Sequence, residues 1–123
     1  MKRGFRLTSS TDFERVRQTG KSFSHPLVVL VAAENQLNQV RVGVAAGKGI
    51  GNAVVRNRSK RLIRASIDPF LPDLTPGWDV ILIARRPLPK AGFWKTRAAL
   101  EQVLRKSGLL CSKKTPDERR LSE

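Results

Sequence analysis

The stretch QVRVGVAAGKGIGNAVVRNRSKRLIRASI, residues 39–67, holds three kinds of local signal in succession. From Gln39 to Ala45, Val40, Val42 and Val44 alternate with Arg41 and Gly43, a period of two that predicts a strand. Gly47-Lys48-Gly49-Ile50-Gly51 then forms a glycine-rich loop, and Asn52 is placed to cap a helix running to about Ile67. On a helical wheel of about 100° per residue, Val55, Ser59, Leu62, Ile63, Ser66 and Ile67 fall within an arc of about 140°. That arc can pack on a sheet. Asn57, Arg58, Lys60, Arg61 and Arg64 fall on the remaining face, with Arg56 at the boundary.

The flanks extend the pattern. Upstream, Ser9 to Thr19 reads as a short helix with a Thr11–Glu14 capping box, an apolar Phe13–Val16 pair and a stop at Gly20. Pro26 to Ala33 reads as a strand, Asn35 to Asn38 as a turn, and Gln39 to Ala45 as the return strand of a hairpin. Downstream, Asp68-Pro69 and Pro72 break the helix, and the apolar run in Trp78 to Ala84 reads as an interior strand. Pro87 and Pro89 read as a rigid spacer before a last helix from about Phe93 to Lys106. Its stripe is Phe93, Leu100, Val103 and Leu104, and Gly108 is its stop; Trp94 falls off the stripe and is expected at the core edge. The order helix, strand, strand, helix, strand, helix predicts an α/β (α+β) sandwich with helices packed on a small sheet. The 123 residues suit one domain, expected over 1–111, with a polar, disordered tail at 112–123.

Charge narrows the function. Twenty-four Lys and Arg face ten Asp and Glu, a net charge of +14. So large an excess of one sign implies a polyanionic partner, of which nucleic acid is the commonest. No carboxylate lies between Glu34 and Asp68, while Arg41, Lys48, Arg56, Arg58, Lys60, Arg61 and Arg64 do, so this window carries half the net charge. Like charges at i, i+3 and i, i+4 within the helix repel, so the arrangement costs some helix stability, and a cost kept on one rigid face points to phosphate binding. Neutralising four to six phosphates predicts a log–log salt slope of roughly −3 to −5.

Other chemistry finds little support. One cysteine, Cys111, leaves no internal disulfide or multi-cysteine zinc site. The single histidine, His25, stands beside Pro26 and reads as a surface residue rather than a base. The longest apolar run, Leu27 to Ala33, is far too short to span a membrane, and no secretory signal follows the basic N-terminus, so a cytoplasmic location is expected. Gly47-x-Gly49-x-Gly51 lacks the dinucleotide spacing, and Gly49 follows Lys48 where a P-loop needs Ser or Thr. Two readings of Lys48 and the Gly49–Asn52 backbone stand side by side, a phosphate site at the helix N-terminus and a plain strand-to-helix turn.

Residues 48–64, with Arg56-Asn57-Arg58 and Lys60-Arg61 at their centre, resemble the signature of the bacterial ribonuclease P protein subunit family. Arg6-Leu7, Asp12-Phe13, Arg41-Val42-Gly43-Val44 and Ile83-Ala84-Arg85 are similar to the family as well. The resemblance implies a two-layer, ribosomal-protein-like sandwich with a small, mostly antiparallel sheet and a left-handed β-α-β crossover through the basic helix. It implies a subunit without catalytic residues that binds ribonuclease P RNA and the 5′ leader of precursor tRNA, while the RNA and its Mg²⁺ cleave. Lys48, Asn52, Arg56, Asn57, Arg58, Lys60, Arg61 and Arg64 then face RNA. Phe13, Arg17 and Leu30 then line a leader cleft between the first helix and the sheet. Arg17 and Leu30 stand where the family often has aromatics, and the chain has no tyrosine, which implies a cleft resting more on arginine than on stacking. No membrane is expected, and no protein partner is needed. The alternative is a general RNA-binding or ribosome-associated module without a role in tRNA processing.

Overall fold

A computed structural model describes residues 6–110. The elements are α1 (Ser10–Thr19), β1 (Lys21–Ser24), β2 (Val28–Glu34), β3 (Arg41–Ala46), α2 (Ala53–Ile67), β4 (Trp78–Ala84) and α3 (Leu88–Ser107), with 3-10 turns at Lys48–Ile50 and Asp68–Asp73. The tail expected at 112–123 and Cys111 lie outside the described residues.

The helix ends follow local chemistry. Ser9, not Thr11, caps α1: its hydroxyl accepts from the Asp12 amide, and Glu14 instead accepts from the Gln18 side chain. Gly20 closes α1 by donating to the Val16 carbonyl. The Asn52 side chain accepts from the Val55 amide at 3.0 Å, as a cap should. A short helical opening from Leu88 precedes the last helix, with Pro89 in its first turn, where a missing N–H costs nothing. Gly92, at φ 81°, interrupts this opening turn, and the longer run begins at Phe93.

The sheet order is β1-β2-β4-β3. Both β1–β2 and β2–β4 are antiparallel, while β3 and β4 are parallel, so β3–α2–β4 is a β-α-β unit. The hairpin expected between β2 and β3 does not form, because β4 lies between them. Val80, Ile81 and Leu82 are buried on both sheet faces, and such a strand needs a neighbour on each edge. The four-residue edge strand β1, Lys-Ser-Phe-Ser, has one apolar residue and escapes a hydrophobicity reading.

The two sheet faces carry two cores. Val28, Leu30, Ala32, Val42, Val80 and Leu82 pack with Ile63 and Ile67 of α2 and Leu100, Val103 and Leu104 of α3. Ser59, Ser66, Thr96 and Ala99 are small and fully buried, which suits the close packing of α2 on α3. The Ser59 and Ser66 hydroxyls donate back to the Val55 and Leu62 carbonyls, so their burial leaves no orphan donor. On the opposite face, Val31, Ala33 and Ile81 pack with Val16 of α1 and Leu7. Trp94, expected at the core edge, is exposed.

Candidate nucleic-acid interface

The wheel of α2 is realised in space. Ser59, Ile63, Ser66 and Ile67 are buried, and Asn57, Arg58 and Arg61 are exposed. Arg56, Lys60 and Arg64 recur every four residues along one flank and are half-buried. Their stems can cover apolar surface while the charges reach outward. The Arg64 Nε is buried without a hydrogen-bond partner. Lys48 is exposed at the mouth of the glycine loop. That loop is largely closed on itself: the Ile50 and Gly51 amides donate to the Gly47 and Lys48 carbonyls. The Asn52 oxygen is likewise engaged by the cap. Cation side chains, more than loop amides, are what this end offers an anion.

A second surface lies on the other face of the sheet. Strand pairing sets Val31, Ile81 and Gly43 in one row, and Val29, Ile83 and Ala45 in the next. The first row is buried beneath α1 and the second is half-buried. Phe13 of α1 packs in the same cluster as this row, and Arg17, one turn further along α1, is exposed. Phe13 is half-buried, so it serves as both anchor and wall. Leu30 does not belong here. It is fully buried in the α2–α3 core, because alternation along β2 sends it to the opposite face from Val29 and Val31. Val29, Ile83 and Ala45 take its place, and only the strand register identifies them.

Gly43 sets how closely α1 approaches. A Cβ at this position would lie 2.4 Å from the Phe13 Cζ. Gly43→Ala is expected to cost about 1–3 kcal/mol of stability through overpacking, read by urea unfolding. A loss below about 0.5 kcal/mol would instead show that Phe13 swings freely out of its seat.

One end of the same face is pinned by charge. Asp79, fully buried on β4, accepts from Arg41 Nε at 2.8 Å and Nη2 at 2.7 Å. It also accepts from Asn35 at 2.8 Å and from Arg15 of α1. Arg41 reaches Asp12 of α1 at 3.4 Å as well. Burial alone pushes the Asp79 carboxyl up, but the Arg41 and Asn35 hydrogen bonds and the Arg41 and Arg15 charges outweigh it and hold it below its ordinary value. A sequence reading misses this cluster; its signal is a lone acid within an apolar strand. His25 Nδ1 accepts from the Leu27 amide, so that nitrogen is engaged in its own turn. Among the described residues, no three His, Cys, Asp or Glu come together to hold a metal ion. Nor is any described helix long and apolar enough to cross a membrane.

Known proteins share this architecture. A family model described as Ribonuclease P matches residues 1–108. The ribonuclease P protein component of Herpetosiphon aurantiacus is 38% identical over 118 residues, covering 96% of each chain. A Staphylococcus aureus RNase P protein structure superposes with a TM-score of 0.78 at 29% identity, covering 86% of this chain and 97% of that one. The RNase P protein from Thermotoga maritima gives a TM-score of 0.74 at 27% identity, covering 82% of this chain and 96% of that one.

Proposed function

The chain belongs to the ribonuclease P protein family, and from that premise we propose that it is the RNA-binding, non-catalytic subunit of a ribonuclease P in the cytoplasm. It binds the catalytic RNA and the 5′ leader of precursor tRNA and assists removal of that leader. The observation that carries this reading is the placement of two different surfaces on opposite faces of one sheet. The cationic side of α2 suits a folded RNA backbone, and the half-open row beside Phe13 suits a single strand. One molecule can therefore engage two RNA segments at once.

In this reading the protein lowers the electrostatic cost of bringing two polyanions together. Its cations replace condensed counterions, an effect that matters most when divalent ions are scarce. Phe13 and Arg17 hold the leader by stacking and charge, so the scissile bond is presented in a fixed position. In this reading the RNA would hold Mg²⁺, which would activate the attacking water when bound. Among the described residues, Asp12 and Asp79 are engaged by guanidinium groups.

Reconstitution tests the proposal. Adding the protein to a ribonuclease P RNA and precursor tRNA at low Mg²⁺ is expected to stimulate cleavage at the mature 5′ end. The stimulation should fade as Mg²⁺ rises and screens the RNA by itself. No stimulation at any Mg²⁺ concentration would leave a general RNA-binding module.

A further inference from the structure

The helix layer carries an aromatic and cationic side-chain cluster at its surface, of which Phe70 also packs against the α2–α3 core. Trp94 is 72% exposed, more than the exposed Leu37 and Val54. A single exposed apolar residue needs no special explanation. This one, however, is held in place. The Phe93 ring meets it edge-on, with centroids 5.0 Å apart and planes at 84°. The Arg97 guanidinium lies over the indole at 5.7 Å from its centroid, and also over Phe70 at 5.8 Å. Arg97 thereby links the indole to the turn that follows the basic helix α2.

The surroundings are cationic. No carboxylate occurs between Asp79 and Glu101, while Arg85, Arg86, Lys90, Lys95 and Arg97 do. Lys90 and Lys95, four residues before and one after Trp94 in the chain, are both exposed. A fixed aromatic ring among cations is how proteins bind unpaired nucleotides: the ring stacks on a base and the cations meet the phosphates. Because the indole is already ordered, binding costs little side-chain entropy. An apolar protein surface would use the ring but leave the cations unanswered.

We propose that Trp94, held by Phe93 and Arg97, is a stacking platform for an unpaired RNA base. It lies on the opposite side of the sheet from the Phe13 cleft, in the same layer as α2. The inference rests on the RNA-binding reading above and adds a second contact for single-stranded RNA.

The test uses the full chain with Trp78→Phe, which leaves Trp94 as its single indole. An oligoadenylate of about twelve nucleotides should quench Trp94 fluorescence, and an RNA duplex of equal charge should not. Trp94→Ala should weaken oligoadenylate binding about tenfold while leaving the salt slope unchanged, since stacking releases no counterions. Trp94→Phe should recover most of the loss. If Trp94→Ala binds like its parent while Arg58→Ala/Arg61→Ala binds more weakly, the platform is wrong and the basic helix stands. If neither variant loses affinity, the RNA-facing reading of α2 falls with it.

Discussion

Asp79→Asn is expected to lower the stability of the folded chain by about 3 kcal/mol in urea unfolding. Asp79 is fully buried and accepts hydrogen bonds from Arg15, Asn35 and Arg41. An asparagine there turns an NH₂ group toward donors and removes the buried counter-charge of both guanidiniums, leaving them only the partly exposed Asp12 carboxylate. Removing one partner of a buried ion pair costs about 3–5 kcal/mol. The low end applies because the Arg15 and Arg41 side chains are 35% and 22% exposed and can partly rehydrate. Against a typical total of about 5–15 kcal/mol, this is a large fraction. The loss should be local first, because Arg15 and Asp12 are the charged ties of α1 to the sheet. Amide exchange should therefore quicken in α1 more than in α2 or α3. The pH dependence has a definite sign. The folded chain holds the Asp79 carboxyl below its ordinary value, so in acid the unfolded chain binds the proton more readily. The contribution is fully present above about pH 5 and is lost as pH falls through about 4 and below. The stability gap between parent and Asp79→Asn should therefore narrow in acid. A gap that stays constant from neutrality down to about pH 3 would show that the carboxylate's charge does not stabilise the fold.

That cluster also shows where a sequence reading stops. Features set by neighbours in the chain were legible: the buried arc of α2, the Asn52 cap, the interior character of β4, and the stops at Gly20 and Gly108. Each depends on a period or a turn residue within a few positions. Sheet order was not legible, because nothing local states that β4, rather than β3, pairs with β2. The cleft failed for a related reason. Val28 to Ala33 is apolar at every position, so the strand gives no sign of which parity faces α1. Leu30 and Val29 are equivalent until the register separates them. The cationic face of α2 was the easier half of the site, since exposure there follows from the wheel alone. Asp79, the residue that joins β3, β4 and α1, left only the trace of one acid in an apolar run.

Arg58→Ala combined with Arg61→Ala is expected to weaken binding to ribonuclease P RNA by roughly a hundredfold at moderate salt, given about 1.5 kcal/mol for each charge-assisted phosphate contact. Both side chains are exposed and lie one turn apart on α2. The salt slope should shallow by about 2, one unit for each phosphate contact removed. The same variant should fold at least as well as its parent. Removing like charges at i, i+3 relieves about 0.2–0.5 kcal/mol of repulsion, and alanine is the better helix former. This sets the pair apart from Asp79→Asn, which loses stability at a buried charge. A surface kept for solvation alone would lose neither affinity nor slope on this change, and that result would take α2 out of the interface. Weaker binding with unchanged or higher stability would mean that the repulsion along α2 is retained for the phosphates it meets, since the fold itself gains nothing from it.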